Sequence, residues 1–285
     1  MYYAYYGFKE APFNLTPNSK FFFSSQKHTE ALSTLVYAIT ERKGFVVITG
    51  DIGSGKTTVC RTLLNQLDPN TQTALITNTH MSGKDLLISI LEDLEVEFKP
   101  GSKSKLLSQL NDYLIDQLRR NNNVVLIIDE AQNLTPSVLE EVRMLSNLET
   151  ESEKLIQIIF LGQPELKAKL ALPRLEQLRQ RVAVYYNLTP LNQADAQQYI
   201  LHRLNIASGN NKRKYFTDEA LDLIYKFSKG VPRLINQICD SALLTGYINE
   251  EEKIDLKIME EVIGESPMVQ IVKTKGPKAA VEAHV

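Results

Sequence analysis

Short apolar runs recur along the first two thirds of the chain, and most are followed by segments with helical spacing. The run at 124–128 is unbroken and rich in β-branched residues, which is typical of a central strand in a parallel sheet. Alternating strands and helices predict an α/β domain whose parallel sheet is covered by helices on both faces. The predicted strands are 45–49, 73–77, 124–128, 155–161 and 182–186.

The pattern changes after Pro190, where only helical spacing remains. We therefore predict an α/β domain over 1–190 and a small all-α domain over 191–265. The last segment, 266–285, carries lysines, glycine and proline and is predicted to be a disordered tail. The main predicted helices are 25–41, 58–66, 84–94, 103–120 and 136–148 in the first domain, and 193–208, 218–228, 232–248 and 256–263 in the second.

A glycine-rich segment joins the first predicted strand to the helix that follows it. Residues 50–57 read G-D-I-G-S-G-K-T, which fits the phosphate-binding pattern G-x-x-x-x-G-K-[ST]. Glycines let the backbone curl so that its N–H groups face phosphate oxygens, and the helix dipole adds positive potential there. Lys56 is expected to reach the β- and γ-phosphates of a nucleotide, and Thr57 to ligate Mg²⁺. The predicted nucleotide contacts are Gly50, Asp51, Ile52, Gly53, Ser54, Gly55, Lys56, Thr57 and Thr58.

An acidic pair follows the central strand at 124–128. Asp129 stands where a nucleotide site needs a ligand for the Mg²⁺ that Thr57 also contacts. Glu130, one residue later, is expected to orient and deprotonate the attacking water. On its own such a pair could simply begin a turn, and the phosphate-binding segment upstream favours the catalytic interpretation.

Four further polar residues stand at positions that suit a nucleotide-hydrolysing site. Gln163 follows the fourth predicted strand and is expected beside the γ-phosphate, unless it caps the next helix. Arg179 and Arg181 precede the fifth strand, and one of them, with Arg181 favoured, could serve a neighbouring subunit as an arginine finger. The alternative is that both are exposed helix-end arginines. Arg233 opens a helix, where a cation is electrostatically unfavourable, which suggests a contact with phosphates.

Composition and charge indicate an intracellular globular protein. The formal net charge of −2 gives no global attraction to nucleic acid or anionic lipid. Cys60 and Cys239 are isolated and are expected to be buried thiols. The N-terminus is aromatic, unlike a secretory signal, and no apolar run reaches the roughly 20 residues needed to cross a bilayer. We expect a cytoplasmic protein.

Together these segments resemble the AAA+ ATPases, and more narrowly the ExeA-like (general secretion pathway protein A) family. In that resemblance Asp129 and Glu130 correspond to Walker B, Gln163 to sensor 1 and Arg233, in G-V-P-R at 230–233, to sensor 2. The arginine-finger region corresponds to 179–181. The narrower likeness rests on Y-G-F at 6–8, P-F at 12–13, T-P at 16–17, D-E-A-Q-N-L at 129–134, L-S-N-L-E-T at 145–150 and L-G-Q-P-E-L at 161–166.

The resemblance implies a P-loop AAA+ core with a helical lid that binds ATP and Mg²⁺ and hydrolyses ATP. It implies a homo-oligomer, ring or helical, that forms in response to nucleotide. It also implies a partner in type II secretion or in pilus or secretin assembly, membrane-anchored in some cases, so that the chain could be peripheral at the inner membrane. In this fold the N-terminal segment packs on adenine, which points to Pro12, Phe13 and Thr16; Phe13 could equally be apolar core.

The chain departs from the secretion-type pattern in one respect. Those proteins usually continue into a transmembrane helix and a peptidoglycan-binding domain, whereas here only a short tail follows the lid. A related branch, the transposition ATPases of the MuB and TniB kind, shares the core and binds DNA, and the charge of −2 argues weakly against it. An ATP-dependent binding switch of that kind is therefore the alternative to a remodelling ATPase. A P-loop kinase is disfavoured by the acidic pair and the helical lid.

Overall fold

A computed structural model describes residues 2–150, 153–211 and 213–265. The chain divides into two compact units. One is the α/β unit, Asn18–Thr189, and the other is a helical unit formed by the described residues up to Pro17 and from Pro190 to Glu265. The predicted tail, 266–285, lies outside the described residues.

The α/β unit is built on a sheet of five parallel strands. Their order across the sheet is β2-β3-β4-β1-β5, so that β3, β4 and β1 are its inner strands. Strands β1 and β4 are buried along their whole length, as expected for a parallel sheet covered on both faces. The predicted α/β fold class is thus confirmed. The strands are β1 (Phe45–Gly50), β2 (Thr71–Ile76), β3 (Asn123–Ile128), β4 (Gln157–Gly162) and β5 (Val182–Leu188).

Helices cover both faces of this sheet, and most of those in the helical unit lie after β5. Most elements begin or end within a few residues of the predicted bounds. The helix after β1, for example, begins at Lys56, directly at the end of the glycine-rich segment, and the helix after β3 ends at Leu145. The helices are α1 (Tyr2–Tyr6), α2 (Gln26–Thr40), α3 (Lys56–Leu64), α4 (Gly83–Asp93), α5 (Lys103–Arg119), α6 (Pro136–Leu145), α7 (Pro164–Leu170), α8 (Glu176–Gln180), α9 (Gln193–Ser208), α10 (Asp218–Ser228), α11 (Pro232–Ile248) and α12 (Leu256–Glu265).

Two apolar cores lie on opposite faces of the sheet. They form because successive strand residues point to opposite faces. One core packs α4, α5 and α6 against the sheet, and it includes Phe45, Val47, Leu126 and Phe160. The other packs α2 and α3 against the opposite face, and it includes Val46, Ile48, Ile127 and Leu161.

The first seventeen residues belong to the helical unit, whereas the sequence analysis assigned them to the α/β domain. The reason is aromatic packing. Tyr6 is 1% exposed, its ring lies edge-on to that of Tyr215, and its hydroxyl donates to the backbone oxygen of Glu251 at 2.9 Å. The buried guanidinium of Arg203 donates to the backbone oxygens of Pro12 and Asn14, at 2.6 and 3.3 Å. These contacts attach the N-terminal segment to α9 and its neighbours.

Candidate nucleotide-binding site

The candidate site forms at the edge where the three inner strands end. Strands β3, β4 and β1 are neighbours and run parallel, so the segments that follow them emerge side by side. The segment after β1 is the phosphate-binding loop, which we define as residues 50–57. Asp129 and Glu130 follow β3, and Gln163 follows β4. One edge of the sheet therefore collects every candidate that the sequence analysis placed at the ends of these strands.

The loop has a shape that requires glycine. Gly53 and Gly55 have φ of 79° and 102°, in the left-handed region that other residues rarely adopt. At Gly50, a Cβ would lie 2.7 Å both from the backbone oxygen of Leu188 and from Oγ of Ser54. A side chain at Gly50 would therefore push β5 and the loop apart. Asp51 and Ile52, at the loop tip, are exposed, and Thr58 lies in the first turn of α3.

Lys56 is buried inside this loop. Its ammonium donates to the backbone oxygens of Gly50 at 2.6 Å and Asp51 at 3.0 Å, and the residue is only 5% exposed. Burial lowers the pKa of Lys56, although the carboxylates of Asp129 and Glu130 oppose that shift. A cation held on neutral carbonyl groups in a partly desolvated site has a strong electrostatic preference for an anionic ligand.

The hydroxyl of Thr57 donates a hydrogen bond to Oδ2 of Asp129 at 3.0 Å, while Oδ1 of Asp129 accepts from the backbone N–H of Glu130 at 2.9 Å. Asp129 is 6% exposed, and burial raises the pKa of its carboxyl group despite these two hydrogen bonds. A hydroxyl and a carboxylate in contact are a pair of oxygen donors of the kind that Mg²⁺ prefers.

Glu130 is held by two glutamine side chains. Its Oε2 accepts from Nε2 of Gln132 at 2.5 Å and from Nε2 of Gln163 at 3.0 Å. The backbone N–H of Gln163 in turn donates to Oε1 of Gln132 at 3.0 Å. Burial acts to raise the pKa of Glu130, but the two amides and the Lys56 ammonium outweigh it, so the pKa is lowered. Gln163 occupies the N-cap position of α7 without a side-chain capping bond, so the capping alternative is not what its side chain does.

The two candidate finger arginines lie at the end of α8, and both are exposed. Arg181 donates to Oγ of Ser146 at 2.6 Å. Arg179 donates to the backbone oxygen of Ala171 at 3.4 Å and lies 4.0 Å from the carboxylate of Glu176. Their hydrogen bonds within the described residues do not involve the phosphate-binding loop. Whether either acts on a neighbouring subunit therefore stays a prediction.

Arg233 belongs to the helical unit, where it is the second residue of α11 and is exposed. The turn before α11 is tightly fixed, because Gly230 has φ of 77° and an added Cβ would lie 1.9 Å from the backbone oxygen of Leu191. The backbone N–H of Leu191 also donates to the oxygen of Gly230 at 2.9 Å. The structure thus holds Arg233 at a defined place within its own unit.

The three residues predicted to contact adenine also lie in the helical unit. Pro12 and Phe13 are buried, and the ring of Phe13 lies edge-on to Phe216, with centroids 6.4 Å apart. Thr16 is exposed, and its N–H is bonded to the side chain of Asn14 at 3.0 Å. The apolar-core alternative for Phe13 therefore has a specific packing partner. A contact with adenine stays a prediction for Pro12 and Thr16.

Sequence reasoning missed two residues of this site. Gln132 links Glu130 to Gln163, and its only sequence signal is an amide two positions after the acidic pair. His28 lies under the phosphate-binding loop, with Nε2 at 3.1 Å from the backbone oxygen of Ser54. Nothing local in the sequence reveals the contact between His28 and Ser54, because 26 positions separate these two residues.

The residues present fit a nucleotide carrying Mg²⁺. Within the part of the chain that the structure describes, the buried Oγ of Ser54 has no hydrogen-bond partner. This hydroxyl, the loop N–H groups and Lys56 are donors suited to phosphate oxygens. Thr57 and Asp129 supply the oxygen donors for the metal.

Comparison with known proteins agrees with this geometry. A family model described as AAA domain matches residues 39–170, which include the phosphate-binding loop, the acidic pair and Gln163. General secretion pathway protein A of Aeromonas hydrophila is 41% identical over 255 residues, which cover 89% of this chain and 46% of that protein. The chain carries an ExeA-like AAA+ domain.

Solved structures extend the likeness of this AAA+ domain to the fold of more distant proteins. Cdc6p from Pyrobaculum aerophilum superposes with a TM-score of 0.67 at 17% identity, over 87% of this chain and 70% of that one. The ORC1 protein of Aeropyrum pernix, solved with DNA, gives a TM-score of 0.64 at 15% identity, over 90% of this chain and 69% of that one. The Holliday junction branch migration motor RuvB of Thermotoga maritima gives a TM-score of 0.56 at 17% identity, over 85% of this chain and 69% of that one. At these identities the likeness concerns the fold alone.

The chain spans about half the length of general secretion pathway protein A. The AAA+ domain gives this chain a P-loop fold. This fold places the chain in the nucleotide-binding class that contains ATPases and related NTPases. None of the helices that the structure describes is both long and apolar enough to cross a membrane.

Proposed function

We propose that the chain hydrolyses ATP to ADP and phosphate in a Mg²⁺-dependent reaction, and that nucleotide state drives its assembly with further copies and the remodelling of a partner. The observation that carries the proposal is the meeting of Lys56, the Thr57–Asp129 pair and the amide-held Glu130 at one sheet edge. Phosphate binding, metal ligation and activation of water each have a suitable group there.

Each residue has a role that its surroundings favour. Backbone N–H groups of the loop and the Lys56 ammonium bind the phosphates, while Thr57 and Asp129 hold Mg²⁺. When bound, the metal neutralises charge on the phosphate oxygens. Glu130 orients the attacking water and takes a proton from it. Both glutamine amides bond to Oε2 of Glu130, which leaves Oε1 to accept that proton.

The pathway is proposed from similarity to general secretion pathway protein A. We propose that the partner belongs to type II secretion or to pilus or secretin assembly, and that the chain works at the cytoplasmic face of the inner membrane by binding it. Association into homo-oligomers follows from the proposed arginine finger, which needs a second subunit. Transposition-type DNA binding is the weaker proposal, since the DNA-related neighbours share only the fold.

The test is nucleotide binding and phosphate release by the wild-type protein and matched variants. Lys56→Ala removes the cation inside the loop and should abolish tight ATP binding, whereas Lys43→Ala, an exposed lysine of the same unit, should not. Glu130→Gln should keep ATP binding and lower turnover at least about 100-fold, because an amide cannot take the proton. Wild-type protein that binds ATP with Mg²⁺ no better than Lys56→Ala would overturn the proposal.

Assembly and pathway are tested separately. Sedimentation with ATP, with ADP and without nucleotide should show larger species with ATP. Turnover should rise when the correct envelope partner is added, and adding duplex DNA should not raise it. DNA binding that weakens steeply with salt would instead favour the transposition-type switch.

A further inference from the structure

The side chain of His28 joins the first turn of α2 to the phosphate-binding loop. His28 is only 6% exposed. Its Nε2 lies 3.1 Å from the backbone oxygen of Ser54, and its Nδ1 lies 2.7 Å from Oγ of Ser25, the N-cap of α2. A buried imidazole is thus interposed between a helix terminus and the middle of the loop.

The partners of the ring determine where its proton lies. A backbone oxygen can only accept, so Nε2 of His28 must carry hydrogen to bond with Ser54. In the neutral ring Nδ1 is then an acceptor, and the hydroxyl of Ser25 can donate to it. The Ser54 oxygen therefore selects the tautomer with hydrogen on Nε2, and the Ser25 hydroxyl is compatible with that tautomer because it can donate to Nδ1.

The contact also orients the peptide between Ser54 and Gly55. In a trans peptide the C=O and the following N–H point in opposite directions. Because His28 holds the Ser54 oxygen on the α2 side, the N–H of Gly55 points away from α2. A carbonyl turned the other way would present negative charge to a phosphate, so this orientation decides whether the loop attracts or repels its ligand.

The fit between ring and loop is close. A Cβ at Gly55 would lie 2.7 Å from Nε2 of His28, so a glycine is required there by the imidazole as well as by its φ of 102°. The first turn of α2 is itself attached to the sheet, since the hydroxyl of Tyr186 on β5 donates to the backbone oxygen of Lys27 at 3.0 Å. The loop is therefore anchored through His28 to a fixed part of the α/β unit.

We infer that His28 is a positioning residue of the nucleotide site: its Nε2–H holds the Ser54 carbonyl so that the loop N–H groups face the phosphates. This inference rests on the proposed nucleotide binding and adds a residue to that site. It requires His28 to affect di- and triphosphates alike, because the loop and not the γ-phosphate is what it holds.

The test compares ATP and ADP affinities of His28→Leu, His28→Gln and His80→Leu with those of the wild type, by calorimetry. Leucine fills the space without a donor and should weaken both nucleotides about 3- to 10-fold, the loss that one hydrogen bond explains. Glutamine can place an amide N–H near the former Nε2 and should recover most of the affinity. His80 is exposed in the same unit, so His80→Leu should bind as wild type does.

A second measurement uses the wild-type protein without nucleotide. The ¹⁵N shifts of the His28 ring at about pH 8, where histidine is ordinarily neutral, should show hydrogen on Nε2. Hydrogen on Nδ1 would overturn the inference even if His28→Leu failed to fold. So would a folded His28→Leu that keeps wild-type affinity, or a His28→Gln no better than His28→Leu. Wild-type protein without ATP affinity would instead overturn the proposed function.

Discussion

The hydroxyl of Thr57 and the carboxylate of Asp129 are in hydrogen-bond contact at 3.0 Å, although 72 positions separate them in the sequence. They meet because β1 and β3 are parallel members of one sheet that end at the same edge, separated only by β4. The two side chains expected to share one Mg²⁺ are therefore brought together by the strand order and by the phosphate-binding loop, which connects β1 to Thr57 in α3. The metal needs little rearrangement of the fold to be bound there.

Thr57→Val should remove the Mg²⁺ dependence of nucleotide affinity while leaving the loop intact. Valine keeps the shape of threonine but offers the metal no oxygen. ATP titrations with Mg²⁺ and with chelator should differ strongly for wild type and little for the variant. Thr62→Val is the control and should behave as wild type. Among the described residues, the hydroxyl of Thr62 bonds only to the backbone oxygen of Thr58. Full Mg²⁺ dependence in Thr57→Val would exclude Thr57 as a ligand.

How much of this site the sequence predicts depends on how local each signal is. The phosphate-binding loop and the acidic pair were predictable because each is a short motif at the end of an apolar strand. Gln132 and His28 were not, because amides and imidazoles have no pattern that reports what they contact.

The same holds for the fold. Apolar runs predicted the five strands within a few residues, since short apolar runs rich in β-branched residues are typical of strands buried in a parallel sheet. The placement of the N-terminal segment failed because it depends on Tyr6, whose hydroxyl bonds a backbone oxygen 245 positions away. No window of local sequence contains that information.

Gln132→Met should shift the acid limb of the turnover profile to higher pH. The amides of Gln132 and Gln163 help to lower the pKa of Glu130 against the effect of burial, and removing one of them raises that pKa. A base must be unprotonated to act, so turnover should fall first at the acid end. The test compares the kcat–pH profiles of wild type, Gln132→Met and the control Gln66→Met, which changes an exposed glutamine of the same unit. Coincident profiles would show that Gln132 does not influence Glu130.

Asp129→Asn should stabilise the protein without nucleotide at neutral pH. Burial raises the folded-state pKa of Asp129, so the folded state binds more protons than the unfolded state as pH rises past the ordinary value near 3.8, and stability is lost. Asparagine does not titrate, so the gain should be largest near neutrality and absent below about pH 3.8. Urea unfolding across this range measures it. A variant less stable than wild type at neutral pH would contradict the conclusion that burial of the Asp129 carboxylate costs stability. Whatever the effect on stability, Asp129→Asn should weaken Mg²⁺-dependent nucleotide binding, because Asp129 is a proposed metal ligand.

A finger acting between subunits predicts complementation. Arg181→Ala should lower turnover by about 10³–10⁵ if Arg181 is that finger, and mixing it with Lys56→Ala subunits should restore part of the loss. Each variant supplies the group that the other lacks. Arg179→Ala should be tested in the same way, with the exposed Arg119→Ala as control. Constant turnover per subunit at all protein concentrations, in a monomer, would rule out both arginines.

Gly230→Ala should destabilise the helical unit more than Gly7→Ala does, although both glycines have positive φ, of 77° and 74°. At Gly7 an added Cβ meets nothing within 4 Å, so alanine there costs only the left-handed backbone, about 1–2 kcal/mol. At Gly230 the same Cβ would lie 1.9 Å from the backbone oxygen of Leu191, and Leu191 cannot move away without straining the hydrogen bond from its N–H to the oxygen of Gly230. The excess cost should therefore appear as a lower urea midpoint for Gly230→Ala than for Gly7→Ala.

Because this turn leads directly into Arg233, Gly230→Ala should also slow turnover if Arg233 contacts the phosphates. Equal unfolding midpoints for the two variants would show that the Leu191 contact relaxes at no cost, and that the turn does not fix the start of α11.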